Sequence, residues 1–244
     1  IHSFGTAGTG GFSNYAASVG HFDSAYIDGV ITVFMILFGV NFNLYFFLIM
    51  GSVKPIWKNE ELRAYLGIIA VATAVITLNI SGQYGSVLSA FRHAVFQVGT
   101  IITTTGYATA DYVLWPMFSQ CVLMLLMVIG ACASSTGGGI KVSRVLIVFK
   151  TVKQEIKRLV HPQSVNLIRI NGKKMSSEIL KTVYVYLLAY AGITIVSVLI
   201  VSIDNHDFAT TFGSVMATLN NIGPGIGEVG PTGSFADFSP LSKL

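Results

Sequence analysis

Three glycine-containing segments have the residue types and spacing that could bind a cation. Their cores are Thr9-Gly10-Gly11, Thr104-Thr105-Gly106 and Asn221-Ile222-Gly223. Glycine adopts positive φ without steric cost, so a loop centred on it can turn consecutive carbonyl oxygens toward one point. A ring of such oxygens replaces the hydration shell of a cation, and threonine hydroxyls can add contacts or brace the loop from behind. These segments predict a cation filter made mainly of backbone.

The sequence around each segment predicts helices that would hold the loop in place. A short amphipathic stretch, at 86–102 and again at 207–219, precedes the second and third segments. When Gly11, Gly106 and Gly223 are aligned, the flanking apolar stretches also come into step. The repeating unit is therefore a long helix, a short helix, a loop and a second long helix. A short helix that ends at the loop points the negative end of its dipole toward a bound cation.

The composition indicates that these units lie in a membrane. Of the 244 residues, 52% are hydrophobic and 11% are charged, and the mean hydropathy is +0.68, whereas soluble domains carry about 25% charged residues. Four apolar runs approach the roughly 20 residues that a helix needs to cross a bilayer; they cover 27–50, 64–80, 112–133 and 179–203. Because these runs contain almost no titratable side chains, we do not expect an enzyme.

The charged residues are distributed unevenly, and their placement predicts the topology. Lysine and arginine cluster at 54–63 and at 141–181, whereas Asp23, Asp111 and Asp204 are among the acidic residues of the alternate segments. Basic residues beside the ends of spans mark the cytoplasmic side, which places the three glycine segments toward the outside. This bias accounts for the net charge of +4, so nucleic acid is not expected as a partner.

The repeats predict an all-α polytopic membrane protein with a pseudo-fourfold central pore. Residues 1–50 contain the end of a short helix, a loop and the following span, and 64–149 form a full unit whose second span is broken. Residues 179–244 begin a further unit, and the stretches 51–63 and 150–178 are cytoplasmic linkers. Three partial units do not close a ring, so we expect a fourth unit upstream and a last helix downstream.

A polar break in the third apolar run is the second candidate site. It comprises Ser134, Ser135, Thr136, Gly137, Gly138 and Gly139, with Lys141 just beyond it. Non-helical backbone at membrane depth is costly unless it is buried in protein or lines a water-filled path. One interpretation is a gate, a loop below the filter that obstructs the pore and moves on activation. A helix kink, or a close helix crossing at small residues, is the alternative.

A few isolated polar residues have more ordinary interpretations. Arg92, near the start of a short helix, is expected to pair with an acidic loop residue. Asn41 and Asn43 are expected to form interhelical hydrogen bonds, and Tyr107 to anchor the second glycine segment. For Asn41 and Asn43, a contact with the ion is the alternative.

The glycine segments resemble known potassium filters. Thr9-Gly10-Gly11-Phe12, Thr104-Thr105-Gly106-Tyr107 and Asn221-Ile222-Gly223-Pro224-Gly225 look like the second, third and fourth filters of the Trk/Ktr/HKT potassium transporter superfamily, and are most similar to those of TrkH-like subunits. The resemblance implies potassium ions at the filter residues, a gating loop in the third repeat and no organic cofactor in this chain. It also implies homodimers in the bacterial inner membrane and a cytoplasmic TrkA-like nucleotide-binding regulatory subunit.

A secondary transporter coupled to sodium or protons is the alternative function. Such transporters also use broken helices near the membrane midplane, but they are commonly built from inverted repeats, whereas the repeats here run in the same sense. Potassium or sodium preference stays open, because the first filter, which bears on it in this family, is not among these residues. The leading prediction is a gated potassium conductor.

Overall fold

The computed structural model describes residues 1–161 and 168–243, so residues 162–167, within the predicted linker 150–178, lie outside the described part. The α-helices are α1 His2–Ala7, α2 Ala25–Phe38, α3 Phe42–Ile49, α4 Lys54–Trp57, α5 Glu60–Ile80, α6 Val87–Ile102, α7 Met117–Ile129, α8 Val142–Val160, α9 Ser177–Val201 and α10 Phe208–Leu219. Two short antiparallel strands, β1 Arg169–Ile170 and β2 Lys173–Lys174, form a hairpin before α9. Single 3-10 turns occupy Ser18–Phe22, Ser81–Gln83, Tyr112–Leu114, Ser202–Asp204 and Gly227–Val229.

The helical architecture confirms the predicted all-α membrane class, with the small hairpin as an addition to it. Within the described residues, two helices are long and apolar enough to cross a bilayer, Glu60–Gln83 and Ser177–Asp204, each counted with its terminal turn. A third span is possible if the bent pair α2 and α3 counts as one. Helices α6, α7 and α10 are also apolar, but they fall in the range of 10–17 residues and are shorter than a span.

The apolar run 27–50 is not the continuous span that its composition predicted. Helices α2 and α3 meet at 93° across the break at 39–41. The side chain of Asn41 caps the start of α3, since its Oδ1 accepts a hydrogen bond from Asn43 N at 3.0 Å. This bond satisfies one of the amide donors that a helix start leaves unpaired. Asn41 Nδ2 also donates to Glu61 Oε2 at 3.4 Å. Asn41 therefore makes the predicted interhelical contact, but from a bend.

The run 112–133 also departs from its prediction as a single span. Its helix α7 has 13 residues, which is about 20 Å at 1.5 Å per residue, against roughly 30 Å of hydrocarbon. The helix ends at Gly130, whose φ of 72° is left-handed, and α8 begins at Val142. The break therefore starts before the polar residues that revealed it in the sequence.

The two short helices α6 and α10 lie where the amphipathic stretches predicted them. Ser86 Oγ accepts from Ser89 N at 3.1 Å at the start of α6, and Asp207 Oδ2 accepts from Ala209 N at 3.1 Å at the start of α10. Residues 96–102 of α6 are all buried. Helix α5 packs along α6, and α9 packs along α10. Each long helix therefore supports the short helix that follows it in the chain.

The two linkers that the charge bias placed on one side of the membrane contact each other. Lys150 of α8 forms an ion pair with Glu60 at the start of α5, and its Nζ donates to Arg169 O at 2.7 Å. Asn171 Oδ1, in the turn of the hairpin, accepts from Glu60 N at 2.7 Å. These bonds fix the hairpin and α8 to the beginning of α5.

At the opposite end of the fold, a largely buried ion pair joins α2 to α6. Arg92 Nε lies 2.8 Å from Asp28 Oδ2, and the Asp28 side chain is 3% exposed. The second oxygen, Asp28 Oδ1, has no hydrogen-bond partner, and the Arg92 guanidinium also lies 3.7 Å from Asp23. The acidic partner predicted for Arg92 is therefore found, and it is mainly a helical aspartate rather than a loop residue.

Arg92→Ala is expected to destabilise the fold strongly, because it leaves the Asp28 carboxylate buried and unpaired. Removing one partner of a buried pair costs about 3–5 kcal/mol. Thermal unfolding in detergent would measure the loss, and the double variant Arg92→Ala/Asp28→Asn should recover part of it. Arg158→Ala is the control, because Arg158 is 66% exposed and its ion pair to Glu155 spans 3.9 Å. Equal melting temperatures for Arg92→Ala and Arg158→Ala would contradict a structural role for the buried pair.

Candidate cation filter and intramembrane loop

The three glycine segments end their short helices in the same way. We call them loop A (residues 9–11), loop B (104–106) and loop C (221–223). In each loop the amide of the middle residue donates to the carbonyl oxygen five residues earlier: Gly10 to Gly5 at 2.8 Å, Thr105 to Thr100 at 2.9 Å and Ile222 to Ala217 at 2.8 Å. This is the Schellman arrangement, in which a left-handed residue follows the helix end. The loops therefore share a hydrogen-bond pattern although their sequences differ.

The backbone dihedrals of the three loops repeat as well. The first residue of each loop is left-handed, with φ of 50° at Thr9, 57° at Thr104 and 56° at Asn221. The third is a glycine with positive φ, 66° at Gly11, 85° at Gly106 and 103° at Gly223. A branched residue such as threonine is rarely left-handed, and such conformations persist only where the surroundings impose them. The alignment of the three glycines made from sequence thus corresponds to a shared backbone conformation.

The loops lie side by side in the order A, B, C. A Cβ added to Gly11 would overlap the carbonyl oxygen of Thr105, and one added to Gly106 would overlap that of Ile222. Each of these glycines therefore lies against the carbonyl of the middle residue in the next loop. The equivalent side of Gly223 is open, with no atom within 4 Å of such a Cβ.

The threonine hydroxyls of the loops are engaged in bracing contacts. Thr9 Oγ1 donates to Gly8 O at 2.8 Å, and the hydroxyls of Thr105 and Thr103 are 2.7 Å apart. Thr104 Oγ1 accepts from Gly138 N at 2.6 Å. Of the two roles that the sequence allowed for these hydroxyls, the contacts correspond to bracing the loop from behind.

Two buried tyrosines connect loop B to its neighbours. Tyr107, 1% exposed, donates from its hydroxyl to His2 O at 3.1 Å, close to loop A. Tyr112, also 1% exposed, donates to Gly225 O at 2.9 Å, just after loop C. Tyr107 therefore anchors the second glycine segment through a hydrogen bond, as predicted. Tyr112 was missed, because its position at the start of an apolar run suggested only a place in a span.

The polar break after α7 forms a loop that reaches loops B and C. We call residues 130–141 the intramembrane loop. A Cβ at Gly137 would lie 2.7 Å from Thr103 O, and one at Gly138 would overlap Asn220 O. Thr103 and Asn220 are the residues that close α6 and α10. The loop therefore lies against the carbonyl ends of both short helices, immediately behind loops B and C.

The base of the intramembrane loop is closed by its own backbone. Lys141 N donates to Ile129 O at 2.9 Å, and Ile140 N donates to Val128 O at 3.1 Å. A Cβ at Gly139 would lie 2.7 Å from the Gly130 Cα, so the two glycines allow the ends of the loop to meet. The break is therefore a closed loop and not a simple helix kink, which was one of the alternatives from the sequence.

The residues predicted for the gate differ in their environments. Gly137 is buried, Ser134 and Thr136 are exposed, and Ser135 Oγ donates to Cys132 O at 2.6 Å. Lys141 has a φ of 83° and donates from its side chain to the Gly137 carbonyl across the loop. The side chain of Lys141 thus holds the tip of the loop to its base.

Sequence reasoning missed two other side chains at this site. Tyr190 of α9 donates to Asn220 Oδ1 at 3.1 Å, and Asn220 is 1% exposed directly before loop C. Glu61, 6% exposed at the start of α5, accepts from Ala133 N at 2.6 Å in the intramembrane loop. The available signal for Glu61 was a second carboxylate beside Glu60 at the edge of an apolar run, which was assigned to a linker.

The fold and the repeated loops define the class: a helical membrane protein built from units of a long helix and a short helix that ends in a glycine loop. A model of the family described as "TrkH: Cation transport protein" matches residues 1–244. The chain belongs to this family. Because this is a family of cation transport proteins, the prediction that the chain is not an enzyme is confirmed.

Relatives and a solved structure agree with this membership. The chain is 40% identical over 245 residues to the Trk system potassium uptake protein TrkH of Salmonella typhimurium, covering 99% of this chain and 50% of that protein. It is 32% identical over 249 residues to TrkG of Escherichia coli, with the same coverage. The crystal structure of the potassium transporter TrkH from Vibrio parahaemolyticus matches with a TM-score of 0.87 at 39% identity, over 93% of this chain and 50% of that one. The chain spans about half the length of the relatives that it matches.

Proposed function

We propose that this chain forms part of a potassium-translocating pore, with the backbone of loops A, B and C as its filter. The nine filter residues are Thr9, Gly10, Gly11, Thr104, Thr105, Gly106, Asn221, Ile222 and Gly223. The observation that carries the proposal is the shared conformation of the three loops, each placed at the carbonyl end of a short helix. The identity of the ion is taken from the relatives, which are named as potassium uptake proteins.

The physical basis is the concentration of negative dipoles at the loops. The last carbonyls of a helix lack amide partners inside the helix, and the summed helix dipole is negative at this end. A cation without its water shell is stabilised where several such ends meet. The loops carry no acidic side chain, so the attraction is supplied by peptide oxygens, which suit a monovalent ion that must also leave.

The open side of Gly223 is consistent with a ring that includes a further loop. Gly11 and Gly106 each lie against the next loop, and Gly223 would lie against a fourth one. A pseudo-fourfold pore of this kind uses four related units in the intact protein. We further propose a bacterial inner-membrane protein that crosses the bilayer several times, works as a homodimer and is regulated by a TrkA-like nucleotide-binding subunit on the cytoplasmic side.

In the proposed mechanism, the intramembrane loop is the gate. Its Gly137 and Gly138 lie against the carbonyl ends of α6 and α10, where a permeating ion leaving the filter would pass. Moving the loop away would open that route, and Lys141 would have to release the Gly137 carbonyl as the loop unfolds. The residues assigned to the gate are Ser134, Ser135, Thr136, Gly137, Gly138, Gly139 and Lys141.

Ion flux into liposomes tests the proposed function. The intact protein reconstituted in vesicles is expected to take up rubidium or potassium at a rate at least ~10-fold above that of empty vesicles, a factor equivalent to ~1.4 kcal/mol. Potassium should compete with rubidium uptake more effectively than sodium does. Uptake that requires an imposed sodium or proton gradient would instead identify a coupled transporter, and uptake no faster than in empty vesicles would contradict the proposal.

A further inference from the structure

A buried carboxylate outside the filter contacts the intramembrane loop directly. Glu61 lies in the first turn of α5 and is 6% exposed. Its Oε1 accepts a hydrogen bond from Ala133 N at 2.6 Å, and its Oε2 accepts one from Asn41 Nδ2 at 3.4 Å. The carboxylate therefore bridges two breaks in helical structure, the bend between α2 and α3 and the break after α7.

The intramembrane loop is joined to that bend by two backbone hydrogen bonds as well. Cys132 N donates to Gly39 O at 3.0 Å, and Phe42 N donates to Ser134 O at 3.1 Å. Three consecutive residues of the loop, 132–134, are thus held to the α2–α3 bend and to α5. Of these three hydrogen bonds, the one from Ala133 N to Glu61 is charge-assisted. Hydrogen bonds to an ionised group are about twice as strong as neutral ones.

We propose that Glu61 is a positioning residue for gating, whose carboxylate holds the intramembrane loop in its place behind the filter. The inference rests on the proposed function, because it assigns a cause to the resting position of the proposed gate. Opening then requires the Ala133 amide to leave Glu61, and a variant without the carboxylate keeps the loop less firmly in place. Glu61 itself contacts neither loops A to C nor the path behind them in any hydrogen bond of the described residues.

The position of Glu61 also connects the loop to the cytoplasmic surface. The preceding residue, Glu60, forms the ion pair with Lys150 and donates its amide to Asn171 Oδ1 of the hairpin. A force that moves α8 or the hairpin is therefore applied to the start of α5, one residue from the carboxylate that holds the loop. Glu60 is a matched control, since it is the adjacent acidic residue and bonds outward rather than to the loop.

Chemical labelling of Cys132 measures the position of the loop without any ion flux. Cys132 has no exposed surface, whereas Cys121 is exposed. The intact protein would carry Cys121→Ser, with any cysteine outside this chain also replaced. It would be treated in vesicles with a small membrane-permeant methanethiosulfonate. We expect Glu61→Gln to raise the modification rate of Cys132 about tenfold, since it retains the shape of the side chain but removes the charge from the Ala133 bond. Glu61→Ala should raise it further.

The control and the flux assay make the two proposals separable. Glu60→Gln should leave the labelling rate of Cys132 within about twofold of the parent, because the Glu60 side chain pairs with Lys150 whereas the hydrogen bond to the loop comes from Glu61. Equal labelling rates in the Glu61 and Glu60 variants would overturn the role of Glu61, whatever the protein transports. If the parent takes up no potassium but Cys132 labelling responds to Glu61→Gln alone, the proposed function fails while the tie between Glu61 and the loop stands. Faster labelling with unchanged potassium flux would overturn the gating part of the inference.

Discussion

Gly106→Ser is expected to remove potassium-selective uptake while leaving the protein folded. Gly106 has a φ of 85°, and a Cβ at this position would overlap the carbonyl oxygen of Ile222 in loop C. The serine must therefore either strain the backbone, at about 1–3 kcal/mol, or push loops B and C apart. Both changes move the peptide oxygens that we propose replace the hydration shell of the ion. We expect rubidium uptake to fall by at least ~10-fold, the factor that ~1.4 kcal/mol produces, and potassium to lose its advantage over sodium.

The matched control for this variant is Gly192→Ser. Gly192 lies within α9, and a Cβ at this position would meet no atom within 4 Å. Both variants replace a glycine by serine, but only Gly106→Ser changes one of the three loops proposed as the filter. Uptake and sodium competition would be measured in vesicles containing equal amounts of each folded protein. Unaltered selectivity in Gly106→Ser would count decisively against loops A to C as the filter.

The parts of the fold that depend on local pattern could be predicted from the sequence. Helices α6 and α10 were predicted because amphipathic spacing marks a short helix, and in the structure Ser86 and Asp207 cap their starts. The three loops were found because glycine recurs at one place in each unit, and the shared Schellman geometry gives the reason for that recurrence. In loop C the left-handed position is held by Asn221, a residue type that tolerates it.

The parts that depend on tertiary contacts could not be predicted. The bend at 39–41 lies in a largely apolar run, and the bonds that stabilise it, from Asn41 to Glu61 and between the backbones of 39–42 and 132–134, join residues far apart in the sequence. The length of α7 was overestimated at both ends, since the helix begins after Pro116 and ends before Gly130, ahead of the polar residues of the break. Similarly, the bond from Tyr112 to Gly225 joins residues more than one hundred positions apart. Hydropathy reports burial in lipid and in protein alike, so it cannot distinguish a span from a buried excursion.

Because hydropathy cannot distinguish a span from a buried excursion, the sequence left several interpretations of the polar break at 134–139 open. A kink, a helix crossing and a re-entrant loop all favour small residues. The structure separates them by the hydrogen bonds from Ile140 and Lys141 back to the end of α7, which close an excursion of twelve residues, 130–141. Its tip is held by Thr104 and by the carbonyl ends of two different repeats. A segment with contacts to both repeats can respond to a movement of either.

If the intramembrane loop is the gate, as proposed above, deleting residues 137–139 is expected to give a pore that conducts without the proposed regulatory subunit. The deletion removes Gly137 and Gly138, which lie against Thr103 O and Asn220 O, together with the amide that donates to Thr104 Oγ1. With the tip gone, the route behind the filter is open in every molecule rather than in the activated fraction. We expect single-channel open probability, or rubidium uptake in the absence of any partner, to rise by about tenfold or more, which is the effect of removing ~1.4 kcal/mol of preference for the closed state. Conduction that is unchanged by the deletion would reject the gate.

A point substitution protects this test against misfolding of the shortened loop, because the deletion also removes Gly139, which meets Gly130 at the base. Gly138→Ala keeps the length of the loop but places a methyl group where Asn220 O now lies. The tip must then withdraw from α10, so uptake should rise in the same direction as in the deletion, by a smaller factor. Gly67→Ala is the control, since a Cβ there would meet no atom within 4 Å in the middle of α5. A gate predicts that the deletion and Gly138→Ala both increase conduction and that Gly67→Ala does not. A purely structural loop predicts loss of folded protein in the deletion, with uptake per folded molecule unaltered in Gly138→Ala.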